Sequence, residues 1–420
     1  MRILLIGSGG REHAIAVFLK KNPEVEELYV LPGNAGIAEI AKTADIKAVD
    51  IDSITAFAME KDVDFVFVAP DDPLVLGAVD ALSEKGFPCF GPNKAAAVIE
   101  GSKVFAKDLM KRYSIPTAEF EVFDDYGSAA EYIASLEKYP VVIKADGLAL
   151  GKGVVIANEK DEAMGAIDRM MNERAFGASG ERVVIERFLS GPEVSALCFT
   201  DGKVIKPLAS SMDHKRIFDG NKGPNTGGMG AVAPNRHYTA ETEERCMREI
   251  FIPTMNAMNS EGRTFKGCLY FGLMLTEEGP KVIEYNCRFG DPEAQAVLPL
   301  LESDLLTVIQ AVSEGRLSET EVKKKDAFAC CVVVASGGYP GKYEVGKPIE
   351  FNDAERLPDT YIFHAGTKRD ENGRIMTSGG RVIGVTAVGT TREESIEKAY
   401  RAAEKISFKN AYYRKDIGRY

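Results

Sequence analysis

The 420-residue sequence lacks several features that define whole classes of protein. Its four histidines have no metal-ligand spacing and its seven cysteines include no C-x-x-C pair, so neither a zinc site nor a disulfide framework is expected. The longest apolar run, at 327–335, is far below the ~20 residues that a membrane span needs. No segment resembles a secretory signal, and we therefore expect reduced, buried thiols and a cytoplasmic protein.

Basic residues are also in deficit. The chain has 52 Lys and Arg against 63 Asp and Glu, a net charge of −11. An acidic surface argues against nucleic acid or an anionic membrane as the main partner. A small anionic ligand stays compatible with this balance, because local lysines and backbone N–H groups can override the net charge. We therefore expect small-molecule partners.

The length and patterning predict an α/β protein of two to four domains. Residues 1–100 alternate strand and helix, with one strand expected at 45–49, which predicts a doubly wound parallel sheet. Residues 101–325 contain strands joined by short turns, typical of an α+β domain with antiparallel or mixed sheet. Residues 326–420 predict a small, mixed α/β unit.

The chain opens on IGSGGREHA, in which an apolar strand runs into glycines. Gly7 and Gly9 fit the dinucleotide fingerprint G-x-G-x-x-G, but Glu12 stands at the third glycine. The next strand ends in Pro32-Gly33-Asn34 and not in the acidic residue that holds a ribose in such sites. The stretch predicts an anion-binding helix N-terminus, or simply a tight turn, and not an NAD site.

A glycine-rich hairpin is expected in YPVVIKADGLALGKGVVIA (139–157). Its first strand ends in Lys144, and the loop holds Gly147, Gly151, Lys152 and Gly153. Glycines let backbone N–H groups approach phosphate oxygens, and lysines neutralise their charge. A Walker loop would need one more residue, a Ser or Thr in place of Gly153 and a following helix. We therefore expect a phosphate-binding hairpin outside the P-loop fold; a solvated turn is the alternative.

Two glutamates occur seven residues apart in RVVIERFLSGPEVS (182–195). Glu186 ends one predicted strand and Glu193 lies in the next. Exposed backbone at such a strand end could bind an adenine edge, and the second carboxylate could hold ribose hydroxyls. The alternative is that both are plain surface charges.

The stretch KVIEYNCRFGDPE (281–293) predicts a metal site. Glu284 and Asn286 are two residues apart on a strand and therefore share one face. Two oxygen ligands suit Mg²⁺, which takes its other ligands from water and phosphate. Arg288 follows on the same face and could bind a phosphate or carboxylate. The alternative is the polar outer face of an edge strand.

The stretch MDHKRIFDGNKGPNTGGMGA (212–231) has no apolar periodicity. It places Asp213, His214, Lys215 and Arg216 ahead of a Gly-, Asn- and Thr-rich run. A loop of about 20 residues without structure of its own is usually functional or disordered. We expect a functional loop in which His214 has a positioning role; a surface loop is the alternative.

Taken in order, these stretches resemble the phosphoribosylamine–glycine ligase family, a member of the ATP-grasp carboxylate–amine ligases. The resemblance spans the chain through the motifs IGSGGREHA, LPGNAG, GPNKAAAVIEGSK, IKADGLALGKGV, DHKR, GPNTGGMGA, EYNCRFGDPE, GGYPG, FHAGT and RKDIG. It implies ATP-dependent ligation of glycine to 5-phosphoribosylamine in purine biosynthesis, through glycyl phosphate, with Mg²⁺ or Mn²⁺. It implies a pre-ATP-grasp domain over 1–100 and a C-terminal domain over 326–420. The ATP-grasp domain between them would carry a flexible nucleotide lid at about 117–190.

The resemblance also implies a role for each candidate residue. The ATP-binding set would be Lys103, Lys144, Gly147, Gly151, Lys152, Gly153, Glu186, Phe188, Leu189 and Glu193. The set that binds phosphoribosylamine or glycine would be Gly9, Gly10, Arg11, Glu12, Gly33, Asn34, Asp213, Arg216, Gly290 and Asp291. Glu284 and Asn286 would bind the metal, and Lys215 and Arg288 would act in catalysis. We expect a monomer, or at most a weak dimer.

The chain departs from the family pattern in two places. Where the family usually reads G-P-E-A-P-L, residues 69–74 read APDDPL, so the acid is shorter. The strand CLYFGLML lacks the further acidic metal ligand of many ATP-grasp enzymes, which leaves Glu284 and Asn286 with phosphates and water. The alternatives are an ATP-grasp ligase for another acid or amine, an oxidoreductase, and a non-catalytic nucleotide-binding module.

Overall fold

Five parallel strands in the order β3-β2-β1-β4-β5 form the first sheet of the computed structural model, which describes residues 1–148 and 153–419. Its elements are β1 (Arg2–Gly7), α1 (Gly10–Leu19), β2 (Glu27–Pro32), α2 (Ile37–Ile40), β3 (Lys42–Thr43), α3 (Ile51–Glu60), β4 (Phe65–Val68), α4 (Asp71–Leu76), α5 (Ala78–Glu84) and β5 (Cys89–Phe90). The doubly wound sheet is confirmed. The strand expected at 45–49 is wrong, because the chain pairs with β2 only at β3 and then leaves the sheet.

Alternation of side chains along β1 explains why helices cover both faces of this sheet. Ile3 and Leu5 pack into one core with residues of α1, whereas Leu4 and Ile6 pack into another with residues of α3 and α5. All four side chains are fully buried. A strand buried on both faces reads as a continuous apolar run, as this one does.

The central region contains two antiparallel sheets of four strands each, in the orders β6-β9-β7-β8 and β11-β10-β16-β17. Its elements are α6 (Lys94–Gly101), α7 (Lys103–Arg112), β6 (Phe120–Phe123), α8 (Tyr126–Ser135), β7 (Val141–Ala145), β8 (Val154–Ala157), α9 (Lys160–Ile167), β9 (Val183–Arg187), β10 (Glu193–Thr200), β11 (Ile205–Pro207), β12 (Met212–Asp213), β13 (Arg216–Phe218), β14 (Lys222–Asn225), β15 (Gly230–Ala233), α10 (Ala240–Cys246), α11 (Ile252–Ser260), β16 (Gly267–Thr276), β17 (Gly279–Asn286), α12 (Glu293–Val297) and α13 (Leu305–Glu314). The chain crosses from the first of these sheets to the second between β9 and β10.

The last sheet combines strands from two distant parts of the chain. The remaining elements are β18 (Phe328–Ser336), β19 (Thr360–His364), β20 (Thr367–Arg369), β21 (Ile375–Thr377), β22 (Arg381–Gly389), α14 (Arg392–Ala403) and β23 (Ala411–Tyr412). The strand order is β12-β15-β18-β22-β19, with β23 also paired to β18. This sheet therefore includes strands from both sides of the boundary expected at residue 325, and the domain limits stay a prediction.

The stretch 212–231 is not a structureless loop. It contributes β12 and β15 to the last sheet and folds β13 and β14 into a hairpin between them. Its short, glycine-rich strands are defined by their partner: Gly230 lies so close to β18 that an added Cβ would stand 2.6 Å from the Cys331 carbonyl oxygen. Apolar periodicity does not reveal such strands, because they are only two to four residues long.

All seven cysteines are free thiols, and six of them are buried. Burial raises the pKa of the Cys331 thiol to about 12, which makes it unreactive near neutral pH. Among the described residues, every helix is too short or too polar to span a bilayer.

Candidate active site

A buried carboxylate paired with two lysines lies in the sheet β6-β9-β7-β8. Glu186, on β9, is 3% exposed. Its two oxygens lie 2.8 Å from the Nζ atoms of Lys144, on β7, and Lys107, on α7. Burial favours the neutral acid, but the two lysines outweigh it and hold the pKa of Glu186 below its ordinary value. Burial also lowers the pKa of Lys107 to about 8, against the pull of Glu186.

This arrangement bears on the expected role of Glu186, which stays a prediction. Its carboxylate is engaged by two lysines, and the backbone of Phe188 and Leu189, expected to bind adenine, follows directly after β9. Lys107 was not among the predicted residues. The signal was present, since Lys103 and Lys107 are four residues apart and therefore lie on one face of α7.

The segment that follows β7 is fastened to the start of α7. Asp146 accepts hydrogen bonds from the backbone N–H of Val104 (3.1 Å) and the hydroxyl of Ser102 (3.0 Å). Lys103 Nζ donates to the carbonyl oxygen of Gly147 at 2.7 Å. Burial lowers the pKa of Lys103, and the charge of Glu284 opposes that shift. These contacts bring two of the predicted phosphate ligands, Lys103 and Gly147, together.

Two positions of the predicted glycine-rich loop are described. Gly147 has φ +93°, and an added Cβ would lie 2.7 Å from Ser179 Oγ, so the turn requires glycine. The carbonyl of Gly153 accepts from the N–H of Ala145 at 2.8 Å and closes the hairpin. Gly151 and Lys152 lie outside the described residues.

Lys215 joins two carboxylates that the sequence predicted separately. Its Nζ lies 3.3 Å from Glu193 Oε2 on β10 and 3.7 Å from Glu284 Oε1 on β17. The charge of Glu193 is the main reason that the pKa of Lys215 is raised well above its ordinary value, despite burial. Lys215 is therefore a permanent cation between the expected ribose ligand and the expected metal ligand.

The oxygen donors of β17 fit a magnesium ion. Glu284 and Asn286 share one face of the strand, and the Glu284 side chain keeps 32% of its surface exposed. Burial raises the pKa of Glu284, but nearby cations, led by Lys215 and Lys144, lower it below its ordinary value, so the carboxylate is ionised. Among the described residues, no group of three or more His, Cys, Asp or Glu side chains could hold a metal. The other ligands of a hard cation here would be phosphate oxygens and water.

Arg288 is anchored by acids from the N-terminal half of the chain. Its Nη2 lies 2.8 Å from Glu100 Oε1 and 3.7 Å from Asp71 Oδ2. The N–H of Cys287 donates to the other Glu100 oxygen at 2.7 Å. Asp71 belongs to the stretch in which this chain has the shorter acid, and it therefore contributes to holding an arginine. Arg288 Nε is buried and has no hydrogen-bond partner among the described residues.

A second candidate site, a cavity, lies next to the residues around Arg288. A cavity of about 340 Å³ is lined by Ser8, Gly9, Gly33, Asn34, Asp291, Tyr339, Ala365, Gly366, Thr367, Ser378 and Arg381. Four predicted substrate residues, Gly9, Gly33, Asn34 and Asp291, thus meet in one cavity. The side-chain amide of Asn34 donates to the carbonyls of Ser8 and His364, both at 2.8 Å, and so ties the two ends of the chain together.

Arg381 was not predicted, and it organises this cavity. Its Nη1 donates to the carbonyl oxygens of Gly227 and Asp291, both at 2.6 Å. Its Nη2 lies 3.5 Å from Asp291 Oδ1. The motifs GGYPG and FHAGT, which carried the resemblance without an assigned role, supply Tyr339 and the 365–367 segment of the lining.

The remaining predicted residues of the opening turn, Arg11 and Glu12, are buried behind the cavity lining and support the turn. Glu12 accepts from the Gly9 N–H (2.6 Å) and from Arg11 Nε (2.5 Å), and Arg11 donates to the Phe289 carbonyl at 3.0 Å. An added Cβ on Gly7 would lie 2.3 Å from Glu12 Cγ. Glu12 therefore occupies the space beside the first glycine, which explains why the dinucleotide fingerprint is broken at this position.

Two further glycines in this region are required by close packing. A Cβ on Gly10 would lie 2.5 Å from Gln295 Nε2, and one on Gly290 would lie 2.4 Å from Glu293 Oε2. Gly10 therefore allows α1 to pack closely against α12, and Gly290 leaves room for the Glu293 side chain. Whether these two predicted substrate residues also touch a substrate stays a prediction.

Arg216 and His214 hold the fold around Lys215. Arg216 Nη1 donates to the Gly223 carbonyl at 2.7 Å, so its guanidinium is engaged within the hairpin β13–β14. His214 Nε2 accepts from the N–H of Gly418 at 3.0 Å, and its Nδ1 lies 3.2 Å from the Gly230 carbonyl. Burial lowers the pKa of His214 to about 4, which suits the positioning role expected of a neutral imidazole.

Comparison with known proteins identifies the family. The chain is 47% identical over 417 residues to the phosphoribosylamine–glycine ligase of Caldanaerobacter subterraneus, which covers 99% of each protein. The chain belongs to the phosphoribosylamine–glycine ligase family. It is also 48% identical over 422 residues to the Rhizobium meliloti ligase of that name, covering 100% of this chain and 98% of the relative. The family models of phosphoribosylglycinamide synthetase match as the N domain over 1–100, the ATP-grasp (A) domain over 101–294 and the C domain over 329–420.

Solved structures agree with this assignment. The crystal structure of phosphoribosylamine–glycine ligase from Thermotoga maritima superposes with a TM-score of 0.87 and 34% identity, covering 99% of this chain and all of that one. The biotin carboxylase domain of the Hydrogenobacter thermophilus 2-oxoglutarate carboxylase, solved with MgADP and bicarbonate, gives a TM-score of 0.76 at 15% identity, with coverage of 98% and 91%. The second likeness shows a shared fold only.

Proposed function

We propose that this chain ligates glycine to 5-phosphoribosylamine, with ATP converted to ADP and phosphate. The observation that carries the proposal is the segment 288–293, which belongs to both sites. Arg288 begins it, close to the cations around Glu284, and Asp291 lines the cavity of about 340 Å³. Full-length relatives whose name states this reaction support the same assignment.

The chemistry explains the composition of the first site. Glycine's carboxylate is a poor electrophile, and phosphorylation by ATP would turn it into an acyl phosphate. Phosphoryl transfer needs positioning and charge neutralisation more than it needs an acid or a base. Lys103, Lys144 and Lys215 would supply cationic contacts to the phosphates and the acyl phosphate. Mg²⁺ or Mn²⁺, held by Glu284 and Asn286, would supply further neutralisation when bound.

The nucleotide would lie between the two central sheets. Adenine would contact the backbone at Phe188 and Leu189, where the chain passes from one sheet to the other, and Glu193 would hold the ribose. The pairing of β6, β9, β7 and β8 in a sheet of their own supports the proposed lid over about 117–190. A monomeric state, or at most a weak dimer, stays a prediction.

The cavity of about 340 Å³ would receive phosphoribosylamine. Arg381 is suited to its phosphate, because an arginine guanidinium binds such anions. Asn34 would hold the loop that faces the sugar. The amine would then point towards Asp291 and the first site, where the acyl phosphate forms.

Measurement of ADP release tests this proposal. The enzyme receives ATP and Mg²⁺ with glycine alone, with freshly prepared phosphoribosylamine alone, or with both. We expect sustained ADP release only with both substrates, together with stoichiometric amide product. ADP release that ignores glycine and follows another acid would indicate a different ATP-grasp ligase, and ATP binding without any turnover would contradict a ligase.

A further inference from the structure

Asp213 lies between the two sites. An added Cβ on Gly228 would stand 2.7 Å from Asp213 Oδ1 and 2.4 Å from Pro292 Cδ, so this oxygen lies beside Gly228 and close to Pro292, the neighbour of the lining residue Asp291. The carbonyl of Gly228 lies 3.4 Å from Arg381 Nη1, which also binds the Asp291 carbonyl. Two residues along the chain, Lys215 contacts the carboxylates on the nucleotide side.

The Asp213 oxygen that faces this junction has no hydrogen-bond partner. Its Oδ1 is buried and unpaired among the described residues. Burial and the charge of Glu293 on α12 raise the pKa of Asp213 well above its ordinary value, Glu193 adds to this, and Lys215 and Arg381 oppose it. A raised pKa makes a carboxylate a better acceptor for a proton released near neutral pH.

We propose that Asp213 is the general base of amide formation, an inference that rests on the proposed function. The amine nitrogen of phosphoribosylamine attacks the carbonyl carbon of glycyl phosphate and forms the C–N bond. The C–O bond to the phosphate breaks, and phosphate leaves with that electron pair. The proton lost by the nitrogen passes to Asp213 Oδ1. Asp213 thus acts after phosphoryl transfer, in the second half of the reaction.

The competing role for Asp213 is to bind the ammonium group of glycine. The two roles separate in the half-reactions. A glycine ligand is needed for acyl phosphate formation and for every later step, whereas a base for the amine is needed only once glycyl phosphate has formed.

The test compares Asp213→Asn with the wild type and with a control, Glu241→Gln, an exposed carboxylate on α10. The first half-reaction is followed without phosphoribosylamine, as glycine-dependent scrambling of ¹⁸O from the β,γ-bridge of labelled ATP. The second is followed as amide product in the complete mixture. For Asp213→Asn we expect scrambling within about threefold of the wild type and a loss of about a hundredfold in amide formation, in the range of general-base catalysis. The control should keep both rates.

Three results would overturn the role of Asp213 as a base. Loss of scrambling together with a raised KM for glycine would assign Asp213 to glycine binding, and unchanged amide formation would remove it from the reaction. An equal loss in Asp213→Ser and Asp213→Asn of both half-reactions, with a lowered unfolding midpoint, would show a structural role. A wild-type enzyme that forms no amide would contradict the proposed function itself.

Discussion

The nucleotide side and the sugar cavity handle charge in different ways. On the nucleotide side, lysines and glutamates pair directly, as in Glu186 with Lys107 and Lys144. Among the described residues that line the cavity, the cationic side chain is Arg381, which is bound mainly to backbone carbonyls. The rest of the lining consists largely of glycines and short polar side chains. Under the proposed function, the first region would bind a multiply charged nucleotide and a metal, whereas the second would bind one phosphorylated sugar.

The largest effect is expected at the metal ligand. Glu284→Gln should lower glycine-dependent ADP release by at least about a hundredfold, because the substitution removes the charged ligand of a catalytic cation. The unfolding midpoint should change little, since the side chain is partly exposed. Glu277→Gln, at the exposed turn that precedes β17, is the matched control. Near-normal turnover of Glu284→Gln at saturating Mg²⁺ would contradict the metal assignment.

The next effect concerns the buried lysine that sequence reasoning missed. Lys107→Met should destabilise the fold by about 3 kcal/mol, because it leaves Glu186 with one of its two buried cations. Thermal unfolding monitored by circular dichroism measures this change, with the exposed Lys111→Met on the same helix as control. An unchanged midpoint would show that Lys144 alone satisfies Glu186.

A smaller and more selective effect is expected in the cavity. Arg381→Lys should raise the KM for phosphoribosylamine about tenfold, equivalent to about 1.4 kcal/mol, because lysine lacks the fork that binds two carbonyls and an anion together. The KM for ATP should stay within about twofold. Arg374→Lys, on the exposed turn between β20 and β21, is the control. Equal increases in both KM values would show that the two sites are not separable.

The smallest effect is a dependence of the free energy of unfolding on pH that arises from two buried histidines. Burial lowers the pKa of His13 to about 3 and that of His364 to about 4, so both stay neutral in the fold while the unfolded chain takes up protons below about pH 6.5. Their contribution to stability is therefore complete above that pH and is lost as the pH falls towards 4, at up to about 1.4 kcal/mol per unit for each histidine.

Unfolding midpoints measured from pH 7.5 to pH 5 test this. His364→Gln should show a shallower fall than the wild type, and His237→Gln, whose imidazole is more exposed, should leave the slope nearly unchanged. A wild-type midpoint that does not fall over this range would contradict the assignment of His13 and His364 as buried, neutral histidines.

The difference between the nucleotide side and the cavity also explains which residues could be predicted from the sequence. Lys144, Glu186, Glu193 and Glu284 lie in strands with a clear apolar pattern, so their motifs could be recognised and their faces assigned. Lys107 was not predicted, because its helix, α7, lies before those motifs in the chain. Its spacing from Lys103 nevertheless places both lysines on one face of that helix. The apolar pattern did not reveal that the Glu186 carboxylate forms ion pairs with two lysines.

The cavity was predicted less completely, because no local pattern encodes it. Gly9, Asn34 and Asp291 were predicted from motifs, but Arg381 follows Asp291 by 90 residues. The two meet because β22, which begins at Arg381, pairs with β18 in the last sheet, and α12, which follows Asp291, packs against that sheet. The stretch 212–231 was misjudged for the same reason. Contacts between distant segments determine both features, and residue periodicity reports only local structure.

The central claim is that an acyl phosphate forms beside Glu284 and is consumed at the adjoining cavity. Its most direct test uses glycine labelled with ¹⁸O in both carboxylate oxygens, in a single turnover with ATP, Mg²⁺ and phosphoribosylamine. The account predicts one ¹⁸O atom in each phosphate released and one in the amide product. Phosphate free of ¹⁸O, with amide formed at the same rate, would show that glycine is never phosphorylated and would contradict the account.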